Sequence, residues 1–332
     1  MKKVKIAQIG TSNNSHGMSI FQALKENSDI FEVAGYVLPE NEREKFPERM
    51  NVFEGTKELT LDEVLNNPEI EAVAVETEEV YLTKYALLCA KHKKHIHMEK
   101  PGSPDLKGFE ELIKTVKENK TVFHTGYMYR YNPYIMELKE QIKKGELGDI
   151  TSVEAHMSCT HPQDVRQWLE NFPGGMMFFL GCHLVDLIYS IQGKPQNIIP
   201  LNKPSGVSGV TAKDYGMTIF EYENGISFAK TSAVEVGGFE RRQLVVSGTK
   251  KTVELRPLEW WKLGTGKIAT TRFTKDDENW HKLPQVEKSE YTDRYQTMIR
   301  SFGEMVQGKK ENPWDYDYEL ELFRLVMKAC GE

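Results

Sequence analysis

Two stretches of this chain carry residue types that can move a proton. The first is His95-Ile96-His97-Met98-Glu99-Lys100-Pro101. It reads as a short strand that stops at a lysine and is turned by a proline. Proline drives the residue before it out of the α region, so Lys100 is expected to be extended or in a turn. A lysine whose charged form is disfavoured by burial can act as general acid and base. Local sequence alone also suits a solvated loop lysine; its place after three strand–helix alternations gives it weight. The second stretch is a helix expected over 179–192. There Leu184, Leu187, Ile188 and Ile191 form an apolar stripe, while Phe179, His183, Asp186 and Ser190 recur at steps of three and four on another side. His183 supplies an imidazole and Asp186 a carboxylate.

Other polar sets are weaker. His95, His97 and Glu99 alternate along one strand face, which reads as a partly wet strand edge rather than a ligand set. His156, Cys159 and His161 resemble zinc-ligand types. However, His156 and Cys159 differ by an odd number, so a strand points them to opposite faces, and no metal site is expected.

These residues need a scaffold, and the first part of the chain supplies one. Val4–Ile9 is an expected strand, closed by Gly10 and followed by an amphipathic helix with Phe21 and Leu24 on one side. The connection Gly10-Thr11-Ser12-Asn13-Asn14-Ser15 lies where a dinucleotide fold places its phosphate loop. The usual GxGxxG reads GxSxxS here. Serine is small and can donate to a phosphate, although Ser12 puts a Cβ where the backbone should approach it. The free N–H groups of the following helix still favour an anion. An ordinary strand–helix turn accounts for the same residues. Phe31–Leu38 is the second strand, and Leu38 stands where an acid would hold the adenosine ribose. Glu40 is a displaced substitute, and Arg43 is the nearest arginine, so NAD and NADP are not separated. Glu71–Glu76 is a third strand, ended by Thr77. Strand and helix then alternate through Thr121–Thr125 to Gly126. Repeated β–α units imply a parallel sheet covered on both faces. Lys100 would then sit at the carboxyl edge of that sheet, where open α/β folds bind ligands.

Composition sets the outer bounds. The chain has 332 residues, about two domains. Hydrophobic residues make up 39% and charged residues 28%, ordinary for a globular protein. The net charge of -6 disfavours a nucleic-acid partner. No stretch reaches the roughly 18 apolar residues that a membrane span needs. The N-terminus leads straight into a strand, and Cys89, Cys159, Cys182 and Cys330 form no CxxC, so reduced thiols and a cytoplasmic location are expected.

Taken together, the strand–loop–helix start, Glu99-Lys100-Pro101, Gly126-Tyr127-Met128-Tyr129-Arg130, and Gly174-Gly175 before His183-Leu184-Val185-Asp186 follow one order. That order resembles the Gfo/Idh/MocA family of NAD(P)-dependent oxidoreductases over nearly the whole chain. The resemblance implies an α/β N-terminal Rossmann domain over 1–124. It also implies an α+β C-terminal domain with a large, mostly antiparallel open sheet over 125–332, and a substrate between the two. It implies Lys100 as catalytic lysine with His183 assisting, a Lys100–Pro101 bond that is often cis, and Glu99 and Thr77 beside the cofactor with the loop. It further implies a homodimer or homotetramer formed through the exposed sheet face. One departure matters: the family places an Asp four residues before the His, and here that residue is Phe179. Phenylalanine cannot orient a substrate hydroxyl, so the pocket is more apolar at that point.

In the second part, Thr151–Thr160 is an expected long strand. In the loop His161-Pro162-Gln163-Asp164 and just after it, His161, Asp164 and Trp168 are candidate substrate contacts, although a capping or packing role is the commoner one for such residues; Tyr127, Arg130, Phe179 and Asp186 are further candidate substrate contacts. Asn224-Gly225 and Gly248-Thr249 mark hairpins, and Trp260, Trp261 and Trp280 read as packing or interface residues. The function expected is hydride transfer between a nicotinamide and a sugar, polyol or related cyclic alcohol. The alternatives are a dinucleotide or sugar sensor without turnover, favoured by Phe179, Ser12 and Leu38, and a glycosidase that uses NAD transiently.

Overall fold

The protein is described here by a computed structural model, which covers residues 2–332. It divides into two compact units, 1–128 with 295–323, and 129–294 with 324–332. The sequence reading divides the chain once, at 124/125. The chain instead returns to its first unit near the end, because the late helix Gln296–Val306 carries Met298, Ile299 and Phe302 as a buried stripe. Phe302 stacks on Phe31, and Phe323 stacks on Phe109.

The first unit is built on a five-stranded parallel sheet. Its strands are β1 (Val4–Ile9), β2 (Phe31–Val37), β3 (Ala72–Val75), β4 (His95–Met98) and β5 (Phe123–Thr125). Their spatial order is β2-β1-β3-β4-β5. Helices α1 (Gly17–Glu26), α2 (Glu42–Lys45), α3 (Leu61–Asn66), α4 (Leu82–Lys91) and α5 (Leu106–Asn119) connect them. All four residues of β3 are buried, as expected for a strand covered on both faces. β4 pairs with β3 on one side and β5 on the other. It is therefore interior, and the expectation of a wet edge fails. His97 and Glu99 are 1% and 2% exposed. Hydrogen bonding replaces water: His97 Nδ1 lies 2.8 Å from His124 Nδ1, and His95 Nδ1 accepts from the Val122 N–H.

The second unit opens with α6 (Pro133–Lys143) and β6 (Ile150–Ser158), then α7 (Gln163–Trp168). A π-helical turn over Met177–Gly181 leads into α8 (Cys182–Gln192). The remaining strands are β7 (Asn197–Lys203), β8 (Tyr215–Tyr222), β9 (Gly225–Ser232), β10 (Gln243–Gly248), β11 (Thr252–Leu255), β12 (Trp260–Lys262), β13 (Lys267–Ala269), β14 (Thr271–Lys275), β15 (Gln285–Lys288) and β16 (Thr292–Asp293). Eight form one sheet, ordered β15-β14-β11-β10-β6-β9-β8-β7. Every pairing in it is antiparallel except β6 with β9. Both expected hairpins form, β8–β9 and β10–β11. Leu184, Leu187 and Ile188 of α8 are buried as read. Trp260, Trp261 and Trp280 are 46%, 40% and 95% exposed, so within this chain they are not core. No disulfide forms among the described residues, and Cys89, Cys182 and Cys330 are buried thiols. No helix among them is long and apolar enough to cross a membrane.

Candidate functional site

In the first unit, Gly10 ends β1 with φ +87, a conformation that favours glycine. A Cβ there would meet Thr77 Cγ2 at 2.4 Å and Thr77 Cα at 2.7 Å. The predicted pair Gly10 and Thr77 is thus one close-packed junction between β1 and β3. Beyond it the loop is closed on itself. The Ser12 N–H donates to Ser15 Oγ and the Ser15 N–H to Ser12 Oγ, both at 3.0 Å. The two serines therefore do locally what glycines leave to a bound group: their hydroxyls accept loop amides. Arg49, on the turn Pro47–Phe53, donates to Asn13 Oδ1 at 3.1 Å and to the Asn13 carbonyl at 2.6 Å. Nothing in the local sequence pointed to it, because it lies 36 residues from its partner. Asn14 is half-buried in the same loop. Leu38 is half-buried against the Phe21–Tyr36–Phe53 cluster and works there as packing. Glu40 is held by Lys84 Nζ at 2.6 Å and the Tyr85 hydroxyl at 2.7 Å; those bonds lower its pKa.

Glu42 is the second residue that the sequence did not reveal. It is fully buried, and its Oε2 accepts the Thr11 N–H at 2.9 Å. Burial pushes its carboxyl up to about 8. A neutral acid on this loop is compatible with an anionic ligand, where a carboxylate would repel one. The raised value has a stability consequence. Relative to an ordinary value of 4.5, the stabilisation from this proton is complete below pH 4.5 and lost as pH rises through 8. Glu79, pushed up to about 7 by burial, has the same sign. His97, pushed down to about 4 by burial, acts oppositely, but only up to pH 6.5. Thermal stability should therefore fall between pH 6.5 and 8, and Glu42→Gln should flatten that fall by ~2 kcal/mol. Parallel melting curves for the two proteins over that range would exclude Glu42 as the source.

Lys100 follows β4 and is 1% exposed. The Lys100–Pro101 peptide is cis. Its Nζ lies 3.5 Å from Glu99 Oε1, and the other carboxylate oxygen lies 2.9 Å from His16 Nδ1. His16 directly follows the Gly10–Ser15 loop. The lysine predicted for proton chemistry and the predicted phosphate loop are thus joined by two contacts within one unit. Glu76 and Glu79 also act on this lysine. Burial, with the Glu99 charge second, raises Glu76 well above its ordinary value. Tyr127, after β5, is buried in the same unit.

In the second unit the predicted residues enter two sets of contacts. Arg130 and Asp186 are committed to each other: Nε lies 3.1 Å from both carboxylate oxygens and Nη2 2.8 Å from Oδ1. Both are about 1–2% exposed. His183, one turn before Asp186 on α8, packs edge-on to Tyr129 with ring centroids 5.5 Å apart. The Tyr129 hydroxyl in turn donates to Glu259 at 3.0 Å, which also binds Arg242 and Arg294. The other set is Phe179, Trp168 and His161. Phe179 meets Trp168 edge-on at 5.3 Å and His161 at 6.0 Å. A π-helical turn, with its wider repeat, carries Phe179 just before the α8 turn that carries His183. Burial lowers the His161 pKa, and Arg242 lowers it further. Asp164 is exposed in the first turn of α7. No cluster of three metal-ligating residues occurs among the described residues.

A parallel sheet whose first turn opens a helix N-terminus, with a glycine that cannot be enlarged at that turn, defines a dinucleotide-binding protein. Residues 4–127 match the oxidoreductase family with an NAD-binding Rossmann fold, GFO/IDH/MocA, and residues 135–254 match the GFO/IDH/MocA C-terminal domain. The chain belongs to the GFO/IDH/MocA family. It is similar to the uncharacterized oxidoreductase YhhX of Escherichia coli, 31% identical over 142 residues, which are 42% of this chain and 40% of that protein. It is similar to the scyllo-inositol 2-dehydrogenase (NADP(+)) IolW of Bacillus subtilis, 22% identical over 71% of this chain and 64% of that protein. The chain therefore matches less than two thirds of the length of either relative. Among solved structures, an oxidoreductase from Desulfitobacterium hafniense superimposes with a TM-score of 0.82 at 21% identity, covering 100% of this chain and 95% of that one.

Proposed function

We propose that this chain oxidises or reduces a cyclic polyol or sugar with NAD or NADP, using Lys100 as the acid–base group. The observation that carries this is the junction of Lys100, Glu99 and His16 with the Gly10–Ser15 loop inside one unit. The loop, the α1 N-terminus and Thr77 would hold the dinucleotide. The nicotinamide, when bound, supplies the acceptor or donor of hydride. Lys100 takes the hydroxyl proton during oxidation and returns it during reduction. His183 assists as a second proton-handling group. Similarity to an inositol dehydrogenase supports a polyol. Phe179 with Trp168 offers aromatic faces for the apolar side of a ring, in place of a carboxylate. The test mixes the protein with NAD or NADP and a panel of inositols, sugars and polyols and follows absorbance at 340 nm. Cofactor binding with no turnover on any member would favour the sensor reading that Phe179 supports.

We also infer a homo-oligomer. β7 and β8 form one end of the large sheet, and Ile199, Leu201, Tyr215 and the β9 residue Ile226 are 37–58% exposed. Such a set of large side chains suits association with a second copy. A mass from light scattering equal to one chain of 38.2 kDa at micromolar concentration would overturn this.

A further inference from the structure

Glu99 is buried and offers its two oxygens to two different cations. Oε2 lies 2.9 Å from His16 Nδ1 and Oε1 lies 3.5 Å from Lys100 Nζ. The His16 side chain keeps 24% of its surface exposed, whereas Lys100 keeps 1%. His16 also packs against the Tyr295 ring at 5.1 Å. We propose that His16, acting through the shared Glu99 carboxylate, sets the protonation state of Lys100 and is the solvent-side proton partner of the oxidoreductase site. This rests on the assignment of Lys100 as the acid–base group.

The physical reason is that one buried carboxylate balances one positive charge well and two poorly. With His16 protonated, a second charge on Lys100 is disfavoured, so Lys100 stands as an amine ready to accept. As the carbinol is oxidised, its hydroxyl O–H bond breaks and a Lys100 Nζ–H bond forms. His16 then releases its Nε2 proton to water. Glu99 stays ionised throughout and exchanges an imidazolium for an ammonium. After product leaves, Lys100 gives its proton to water and His16 takes one up. One proton is released for each alcohol oxidised.

The neighbouring groups do not replace Glu99 in this role. Glu76 faces His97 Nε2 at 3.6 Å, and its carboxyl is pushed up by burial and by Glu99. Glu79, which also faces Lys100, is pushed up to about 7 by burial. His97 is turned to His124 and Glu76, away from His16. Glu99 reaches both His16 and Lys100 directly, at 2.9 Å and 3.5 Å.

The test needs no substrate. The His16 ring is followed by NMR across pH in histidine-labelled protein, its signal assigned by its loss in His16→Gln. Lys100→Arg, whose charge cannot be given up, should lower the His16 midpoint by at least ~1 pH unit, and Glu99→Gln should lower it by a similar amount. Lys100→Met, neutral like the amine it replaces, should leave the midpoint near its wild-type value. If Lys100→Arg does not fold, Glu99→Gln decides alone. A His16 midpoint unmoved by Glu99→Gln overturns the proposal. In kinetics, His16→Gln should displace the pH profile of kcat/KM for polyol oxidation by about one unit while Lys100 stays essential. Turnover lost in Lys100→Met with a His16 midpoint unmoved in Lys100→Arg would sink the coupling alone. Turnover intact in Lys100→Met would sink the functional reading instead.

Discussion

Lys100→Met is expected to lower kcat by ~10³ on whichever polyol the wild-type protein turns over, because positioned acid–base groups contribute roughly 10²–10⁴. Methionine keeps most of the apolar stem of lysine and removes the amine with its charge. Lys100 also neutralises part of an acidic pocket: its charge lowers both Glu76 and Glu79 against the effect of burial. Removing it therefore pushes those carboxyls further up and costs stability, so folded fraction must be measured by thermal denaturation alongside rate. Cofactor affinity separates the two effects. A variant that melts cooperatively and binds the dinucleotide, yet turns over within a factor of about three of wild type, would show that Lys100 is not the proton carrier. His183→Asn in the same assay tests the proposed assisting role, with a smaller loss of kcat as the expected result.

Arg130→Met is expected to destabilise the second unit by ~3–5 kcal/mol, the usual result of leaving one partner of a buried ion pair uncompensated. Arg130 and Asp186 meet through three contacts of 2.8–3.1 Å in nearly complete burial. Without the guanidinium, the Asp186 carboxylate loses these contacts in a buried position, with the Lys139 charge still acting on it. The double variant Arg130→Met/Asp186→Leu should recover most of the loss, since removing both charges removes the desolvation penalty. Denaturant unfolding of the single and double variants measures this. A single-variant loss under about 1 kcal/mol would mean the pair is not held as described. Asp186 lies on α8 three residues after His183, so the pair fixes which face of α8 is presented. Arg130→Met should accordingly lower kcat even in the folded fraction.

Much of the first unit was legible in the sequence. Val4–Ile9 closed by Gly10, the fully apolar Ala72–Val75 and the strand ending at Lys100 each carry their own local signal. Repeated β–α order then leaves few topologies. The family motifs added the C-terminal sheet, whose hairpins are marked by Asn224-Gly225 and Gly248-Thr249. What was not legible depended on distance along the chain. Glu42 on the Thr11 amide, Arg49 on Asn13 and His16 on Glu99 are pairs 31, 36 and 83 residues apart. No periodicity encodes such pairs. The π-helical turn before α8 was not legible for a different reason: it changes helical phase without a distinctive residue pattern.

Local residue chemistry by itself determined the strand–turn–helix opening, the extended lysine before Pro101 and the apolar stripe of α8, because each follows from backbone sterics or side-chain periodicity within a few residues. Tertiary structure alone decided that β4 is interior, that His97 and the following Glu99 are buried and bonded to His124 and His16, and that Arg130 and Asp186 pair. Burial and pairing depend on which strands and helices become neighbours, and that is set by the packing of the whole unit.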